Sequence, residues 1–248
     1  FLSGRYEFRR GLRQYRSRNL NAPLPGESVP PDPTRGNVLN FESTGASRSQ
    51  MFTFSGRQRF SIFNINGSYT HYSQYNDGGD FFGTPSNNYN LRADWGRTGT
   101  PIHQFNSTVN AKLFMGVFLT GTVNANSGNR YNITTGKDDN LDCNINDRPP
   151  GTPRNSEDGP RMLTFDFNIS KAFFLGGTAN GGSGSSRANV NLFANMYNAF
   201  NRTNYGTPSG VMTSPFFGKP YSARNAREVE RNKVGFHKAR RRKQFTKR

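Results

Sequence analysis

The chain has 248 residues, 32% hydrophobic, 13% aromatic and 20% charged, with a formal net charge of +17 and a mean hydropathy of −0.83. That is too little aliphatic material for a large soluble core, since globular domains run at about 45–50% apolar residues, yet 22 Phe and 10 Tyr argue against disorder. Cys143 is the single cysteine, so no internal disulfide forms, and no apolar run reaches the roughly 18 residues a transmembrane helix requires.

The chain begins with Phe rather than Met, which leads us to expect a fragment or a mature portion of a longer protein. The first candidate strand, "GRYEFRR" over 4–10, is short. "MFTFSGRQRF" over 51–60 places Phe52 and Phe54 on one side and Thr53, Ser55 and Arg57 on the other. This period of two marks a strand with unlike faces. "SIFNINGSYTHY" over 61–72 sets Phe63, Ile65, Gly67 and Tyr69 against Ile62, Asn64, Asn66, Ser68 and Thr70. "FNSTVNAKLF" over 105–114 sets Phe105, Val109, Ala111 and Leu113 against Asn106, Thr108, Asn110 and Lys112. "VFLTGTVNAN" over 117–126 sets Val117, Leu119, Val123 and Ala125 against Thr120, Thr122, Asn124 and Asn126. "MLTFDFNIS" over 162–170 splits into Leu163, Phe165, Phe167 and Ile169 against Thr164, Asp166, Asn168 and Ser170. "ANVNLFANMYNAF" over 188–200 aligns Val190, Leu192, Ala194 and Met196, with Phe193 and Tyr197 on the polar side.

Short links fall near 59–61, 114–117 and 175–187, and long ones at 13–49, 73–103, 128–161 and 201–223. Tight turns at one end and long loops at the other are what an outer-membrane barrel shows, whereas a soluble domain seldom carries several such long connections. The pattern predicts an all-β, antiparallel transmembrane β-barrel portion: an up-and-down meander of about seven or eight strands with long extracellular loops and short periplasmic turns. It forms an open sheet if the chain is alone. The rival reading is a soluble or surface-exposed all-β binding module whose Phe faces meet in a sandwich core.

The loop "DDNLDCNIND" places Asp138, Asn140 and Asp142 at i, i+2 and i+4, the spacing of oxygen ligands in calcium loops, with Asp139 and Asp147 nearby. Cys143 stands where Gly is expected and Pro149 where the closing Glu belongs, so the alternative is a surface loop rich in Asx-turns. His71, His103 and His237 lack zinc spacing, no G-x-S-x-G elbow occurs, and the glycines of 176–184 lack a following G-K-[ST]. No enzyme is expected, and no cofactor other than Ca2+ in the loop 138–147. Tyr75, Phe81, Phe82, Tyr89, Trp95, Tyr205, Phe216 and Phe217 fall in or beside the predicted extracellular loops. There they can stack on a small ligand, oligosaccharide or peptide, or else pack the loops together and form an interfacial girdle.

The runs "YNITTGKDDNLDCNINDRPPGTPRNS", "LTFDFNISKAF" and "ANVNLFANMYNAFNRTNYGTPSGVMTSPFFGKPYSARNARE" resemble the C-terminal barrel region of TonB-dependent receptor-like outer-membrane proteins. The type is the one with an N-terminal carboxypeptidase-regulatory-like domain, common in Acidobacteria. "RSRNLNAPLPG" and "LRADWGR" look like the same group, and the resemblance covers roughly 5–228. It implies a barrel of about 22 strands closed by an N-terminal plug, sited in the bacterial outer membrane and in contact with its lipid. Loop capture of a scarce ligand would be followed by uptake driven through a TonB-type inner-membrane complex. That complex would engage the missing N-terminal part, for neither a plug nor an energy-coupling box is identifiable here.

The C-terminus departs from the family. Such barrels end on an alternating strand with a terminal aromatic, whereas "RNKVGFHKARRRKQFTKR" suggests a frameshifted or replaced end. Residues 224–248 carry eleven Lys/Arg and two Glu, so the basic character is largely a tail. The chain therefore divides into 1–228, barrel, and 229–248, a basic tail in which strand order is expected to lapse soon after residue 230. A basic nucleic-acid-binding protein is the second rival, resting on that tail; no specific nucleic acid is expected otherwise.

Overall fold

The computed structural model describes residues 1–77, 83–175, 188–220, 223–224 and 228–231. Its strands are β1 (Leu2–Asn19), β2 (Leu39–Arg59), β3 (Phe63–Asn76), β4 (Gly96–Arg97), β5 (His103–Lys112), β6 (Val117–Asn126), β7 (Arg130–Tyr131), β8 (Glu157–Asp158), β9 (Met162–Leu175), β10 (Ala188–Tyr197), β11 (Asn204–Tyr205), β12 (Ala223–Arg224) and β13 (Glu228–Arg231). One sheet runs β1-β2-β3-β5-β6-β9-β10-β13, with β4 paired to the end of β3. All its ladders are antiparallel. The ribbons β7/β8 and β11/β12 sit within the connections. Apart from the small β4, each strand of the sheet follows its sequence neighbour, so the expected meander forms. β1 and β13 are its two edges, and the sheet is open.

The register decides what the alternation means. Phe54 stands opposite Tyr69, Tyr69 opposite Phe105, Phe105 opposite Ala125 and Ala125 opposite Leu163. Two rungs further along β9, Phe167 faces Gly121 on one side and Met196 on the other. Residues directly opposite share a face, so separate period-two stripes fuse into one apolar surface. The other face carries Ser55, Ser68, Asn106, Asn124 and Thr164 in one continuous row. A slip of one residue in any ladder would break both surfaces.

No second sheet among the described residues covers the apolar side, though Phe200 packs against Phe165 and Phe167 at its loop end. Among the described residues Ala22 is the one buried hydrophobic, while Phe54 is 47% and Ile169 45% exposed. Burying such a side chain is worth about 1.5–3 kcal/mol. A sandwich would collect that on a second sheet, and among the described residues the other sheets are two-residue ribbons. No helix among the described residues is long and apolar enough to cross a membrane. The arrangement is an antiparallel, barrel-type wall.

The connections also sort by end. Of the described connections, 60–62 and 113–116 lie at one end, and 20–38, 77–102, 127–161 and 198–220 at the other. The expected link over 13–49 is corrected: β1 continues to Asn19 and β2 begins at Leu39, pairing Asn19 with Leu39. Two register shifts, at Gly11/Gln14 and Gln14/Arg16, hid the strand by breaking its alternation. Beyond Ser47, the partner of Asn76 at the end of β3, this hairpin loses β3 as a neighbour and mixes exposed Leu12, Tyr15, Leu39 and Phe41 with charged and polar residues. β5, β6 and β10 have 10 residues each, while β1 has 18 and β2 has 21. About ten suffice to cross a bilayer, so the first hairpin extends beyond the apolar band. At the other edge β13 pairs from Tyr197–Glu228 to Ala194–Arg231. The compositional division at 228/229 falls inside that ladder, and the tail 232–248 lies outside the described residues.

Candidate functional site

Ala22 apart, the buried side chains among the described residues are polar, and most of them gather at the long-loop end. Arg16, near the top of the β1–β2 hairpin, lies 3.2 Å from Asp77 and 3.5 Å from Glu42, and its Nε donates to Thr44 Oγ1 at 2.9 Å. Asp77 in turn accepts the Ala46 N–H at 2.9 Å. A buried arginine is tolerated only with such partners, so the hairpin is fixed against the end of β3.

Asparagines build the next layer. Asn21 Nδ2 donates to the carbonyls of Asp32, Arg35 and Gly36, closing the loop 20–38 on itself. Asn88 Oδ1 accepts the Asn19 N–H at 2.8 Å, and Asn88 Nδ2 donates to Asp142 Oδ2 at 3.0 Å. One side chain thereby joins the end of β1 to two connections. Asn has both donor and acceptor on a short stem, which suits it to replace missing backbone partners.

Loops 77–102 and 127–161 are tied by a buried ion pair. Arg148 Nη2 lies 2.8 Å from Asp94 Oδ1 and also donates to Ser86 Oγ and the Ala93 carbonyl. Ser86 completes the knot, donating to Asp94 through both its N–H and its hydroxyl. Asp147 accepts the N–H groups of Asp139 and Asn140. Burial pushes its carboxyl above the ordinary aspartate value, those two hydrogen bonds oppose the shift, and the Asp142 and Asp138 carboxylates reinforce it.

The motif "NAFNRTN" closes the last connection onto β9. Asn198 N–H donates to Asp166 Oδ1 at 2.8 Å and the Ala199 N–H to the Phe165 carbonyl at 2.7 Å. Asn198 and Asn201 take left-handed backbone angles (φ 46° and 53°), which asparagine tolerates better than most residues. Phe200 turns its ring edge onto Phe165, with centroids 4.7 Å apart. Downstream, Thr134 N–H donates to the Gly210 carbonyl and Met212 N–H to the Thr134 carbonyl. A Cβ on Gly210 would stand 1.7 Å from the Asn132 carbonyl oxygen, so the two loops meet this closely only with glycine there.

The sequence-selected aromatics separate into three groups. Tyr75 stacks on Trp95 at 6.3 Å, and Arg97 lies 5.2 Å above the Tyr75 ring. Tyr75 shares the face of Tyr69 and Phe54, so this pair occupies the rim of the apolar surface. Tyr89 donates its hydroxyl to the Ala22 carbonyl at 2.6 Å and lines a cleft of ≈ 250 Å³ with Pro23, Asn88, Asp139, Asn140 and Asp142. Tyr205, Phe216 and Phe217 are exposed on the segment after β10. Phe81 and Phe82 lie outside the described residues.

The loop 138–147 is built of Asx-turns. Asp138 accepts the N–H groups of Asp142 and Cys143, Asn140 Oδ1 accepts that of Asp142, and Asp142 Oδ1 that of Asn144. Leu141 and Cys143 both take positive φ. Among the described residues no three His, Cys, Asp or Glu side chains gather as for a metal ion. These oxygens accept the loop's own N–H groups. The roles of Arg16, Asn88, Asp94, Arg148 and Asn204 went unnoticed in the sequence. The repeated Asn of loops and motifs was the available signal, without any indication of which loops they join.

No family model matches the chain. Its fold is similar to that of the outer membrane transporter YddB from Escherichia coli, with a TM-score of 0.58 at 11% identity. The match covers 92% of this chain and 29% of that one, so the chain spans under a third of the transporter's length.

Proposed function

We propose that this chain is part of the wall and outer mouth of a bacterial outer-membrane receptor that captures a scarce ligand on its loops and imports it. The observation that carries this is the continuous, largely exposed apolar face running from β1 to β10, together with the interlocking of the described long loops by buried polar groups at one end of the sheet. A soluble binding module has no use for such a face. The transporter whose fold it shares supports the same class of protein.

In this reading the polar side of the sheet faces the lumen. Tyr89 with its Asn/Asp-lined cleft, and Tyr205, Phe216 and Phe217, form the surface offered to a hydroxyl- or amide-rich ligand such as an oligosaccharide or peptide. Plug-gated, TonB-driven uptake is the mode that the sequence resemblance implies, with the plug and coupling segment supplied by chain beyond these residues. The test is uptake of labelled oligosaccharides and peptides by cells carrying the receptor that contains this segment. Import that collapses when the proton-motive force is dissipated, while surface binding persists, supports the proposal. Import indifferent to that force contradicts it.

A further inference from the structure

The apolar face carries few charges on the strands whose side chains are described, and those charges are all positive: Arg10, Arg48, Arg97 and Lys171. Three of the four stand in one cross-strand row. Arg10 is opposite Arg48, Arg48 opposite Tyr75, and Tyr75 opposite Arg97. Arg10 and Arg48 are exposed, and no ion pair to any of the three arginines forms among the described residues. On the opposite face, by contrast, Arg5 and Arg9 both pair with Glu7.

Like charges directly opposite one another destabilise a ladder. On a lipid face an arginine costs about 2–4 kcal/mol at the bilayer midplane but roughly 0–1 kcal/mol near an interface. The row lies at the loop end, one rung beyond Phe8, Gln50 and Ser73 and two beyond Tyr6, Phe52 and His71. Tyr75 stacks on the Trp95 ring there and takes the Arg97 guanidinium over its own, at the level where interfacial aromatics gather. A depression at this end, of ≈ 490 Å³, is lined by Arg161 and Arg202 together with Phe105 and Leu163.

We infer that the row Arg10–Arg48–Arg97 seats the phosphate groups of an anionic lipid of the outer leaflet, whose chains lie against Tyr6 and Phe52. Guanidinium forks match phosphate oxygens, and a headgroup with more than one phosphate cancels the repulsion within the row. This rests on the membrane reading of the apolar face.

The test uses the full chain added to neutral phosphatidylcholine vesicles with and without a bis-phosphorylated glycolipid, with insertion scored first by flotation. Lipid retained after mild detergent extraction is then identified by native mass spectrometry. The wild type should keep the phosphorylated lipid. The triple variant Arg10→Gln/Arg48→Gln/Arg97→Gln should hold it roughly a hundredfold more weakly, taking each arginine at about fivefold. Arg5→Gln/Arg9→Gln, on the other face, should retain it like the wild type. Equal retention by the triple variant, or displacement by inorganic pyrophosphate as readily as by lipid, overturns the lipid site while leaving the membrane reading intact. A chain that does not float with either vesicle overturns both.

Discussion

The side-chain amide of Asn204 stands in for a strand at the start of β9. Its Oδ1 accepts the Leu163 N–H at 2.9 Å and its Nδ2 donates to the Leu163 carbonyl at 3.0 Å, with Asn204 fully buried. β10 has already left the ladder at this level, so one amide replaces the backbone pair it would have supplied. Asn204→Ala strands both Leu163 groups, each worth about 1–3 kcal/mol when left unsatisfied. The urea midpoint of the bilayer-inserted protein should fall for Asn204→Ala, and for Asn204→Asp, which loses the donor and buries a charge. Unchanged midpoints in both variants would show that water supplies these bonds.

Arg148 and Asp94 hold loops 77–102 and 127–161 together with side chains only 8% and 7% exposed. Replacing one member of such a pair leaves a buried charge and typically costs about 3–5 kcal/mol. Arg148→Met should therefore speed proteolysis within 83–102 and 127–161, while the β-sheet circular dichroism stays unchanged. Wild-type protease resistance would contradict the coupling.

How far these features were legible depends on length scale. Alternation in "MLTFDFNIS" and "SIFNINGSYTHY" is a local property, and adjacent strands preserve it, so both the two-faced sheet and its order could be read from residues alone. β1 above Gly11 was missed because two bulges erase the period, and because a hairpin projecting past its neighbour has no reason to alternate. The loop knot was illegible for a different reason. Asn88, Asp142 and Asn19 are far apart in sequence, and a side-chain amide gives no sign of which distant backbone it will satisfy. The Asp138–Asn140–Asp142 spacing, taken as calcium-like, describes equally well a chain of Asx-turns.

Asp147 gives the mouth a pH dependence. Its carboxyl is held above the ordinary value chiefly by burial, so ionising it costs folding free energy. Its favourable contribution is complete below the unfolded-state value and is lost as pH rises through the raised folded-state value. Asp147→Asn keeps an acceptor for the Asp139 and Asn140 N–H groups without the charge. Amide protection at 139 and 140, corrected for intrinsic exchange, should rise on acidification in the wild type and stay flatter in Asp147→Asn. Matching profiles would remove Asp147 as the cause.

Phe167 and Asn168 are neighbours in β9 with opposite surroundings: Phe167 belongs to the apolar face, and Asn168 donates to Asn195 Oδ1 on the polar one. Phe167→Arg should block assembly into bilayers, since an arginine near the lipid midplane costs about 2–4 kcal/mol. Asn168→Arg should assemble nearly as well as the wild type, and equal tolerance of the two would reverse or void the facing.

The most direct measurement is a cysteine scan of residues 163–170 in a Cys143→Ser background, each site carrying an environment-sensitive fluorophore in bilayers. The account predicts a period of two, with lipid-borne quenchers reaching 163, 165, 167 and 169 and aqueous quenchers reaching 164, 166, 168 and 170. Aqueous quenching at both sets, or a uniform response without alternation, would contradict a lipid-facing apolar surface.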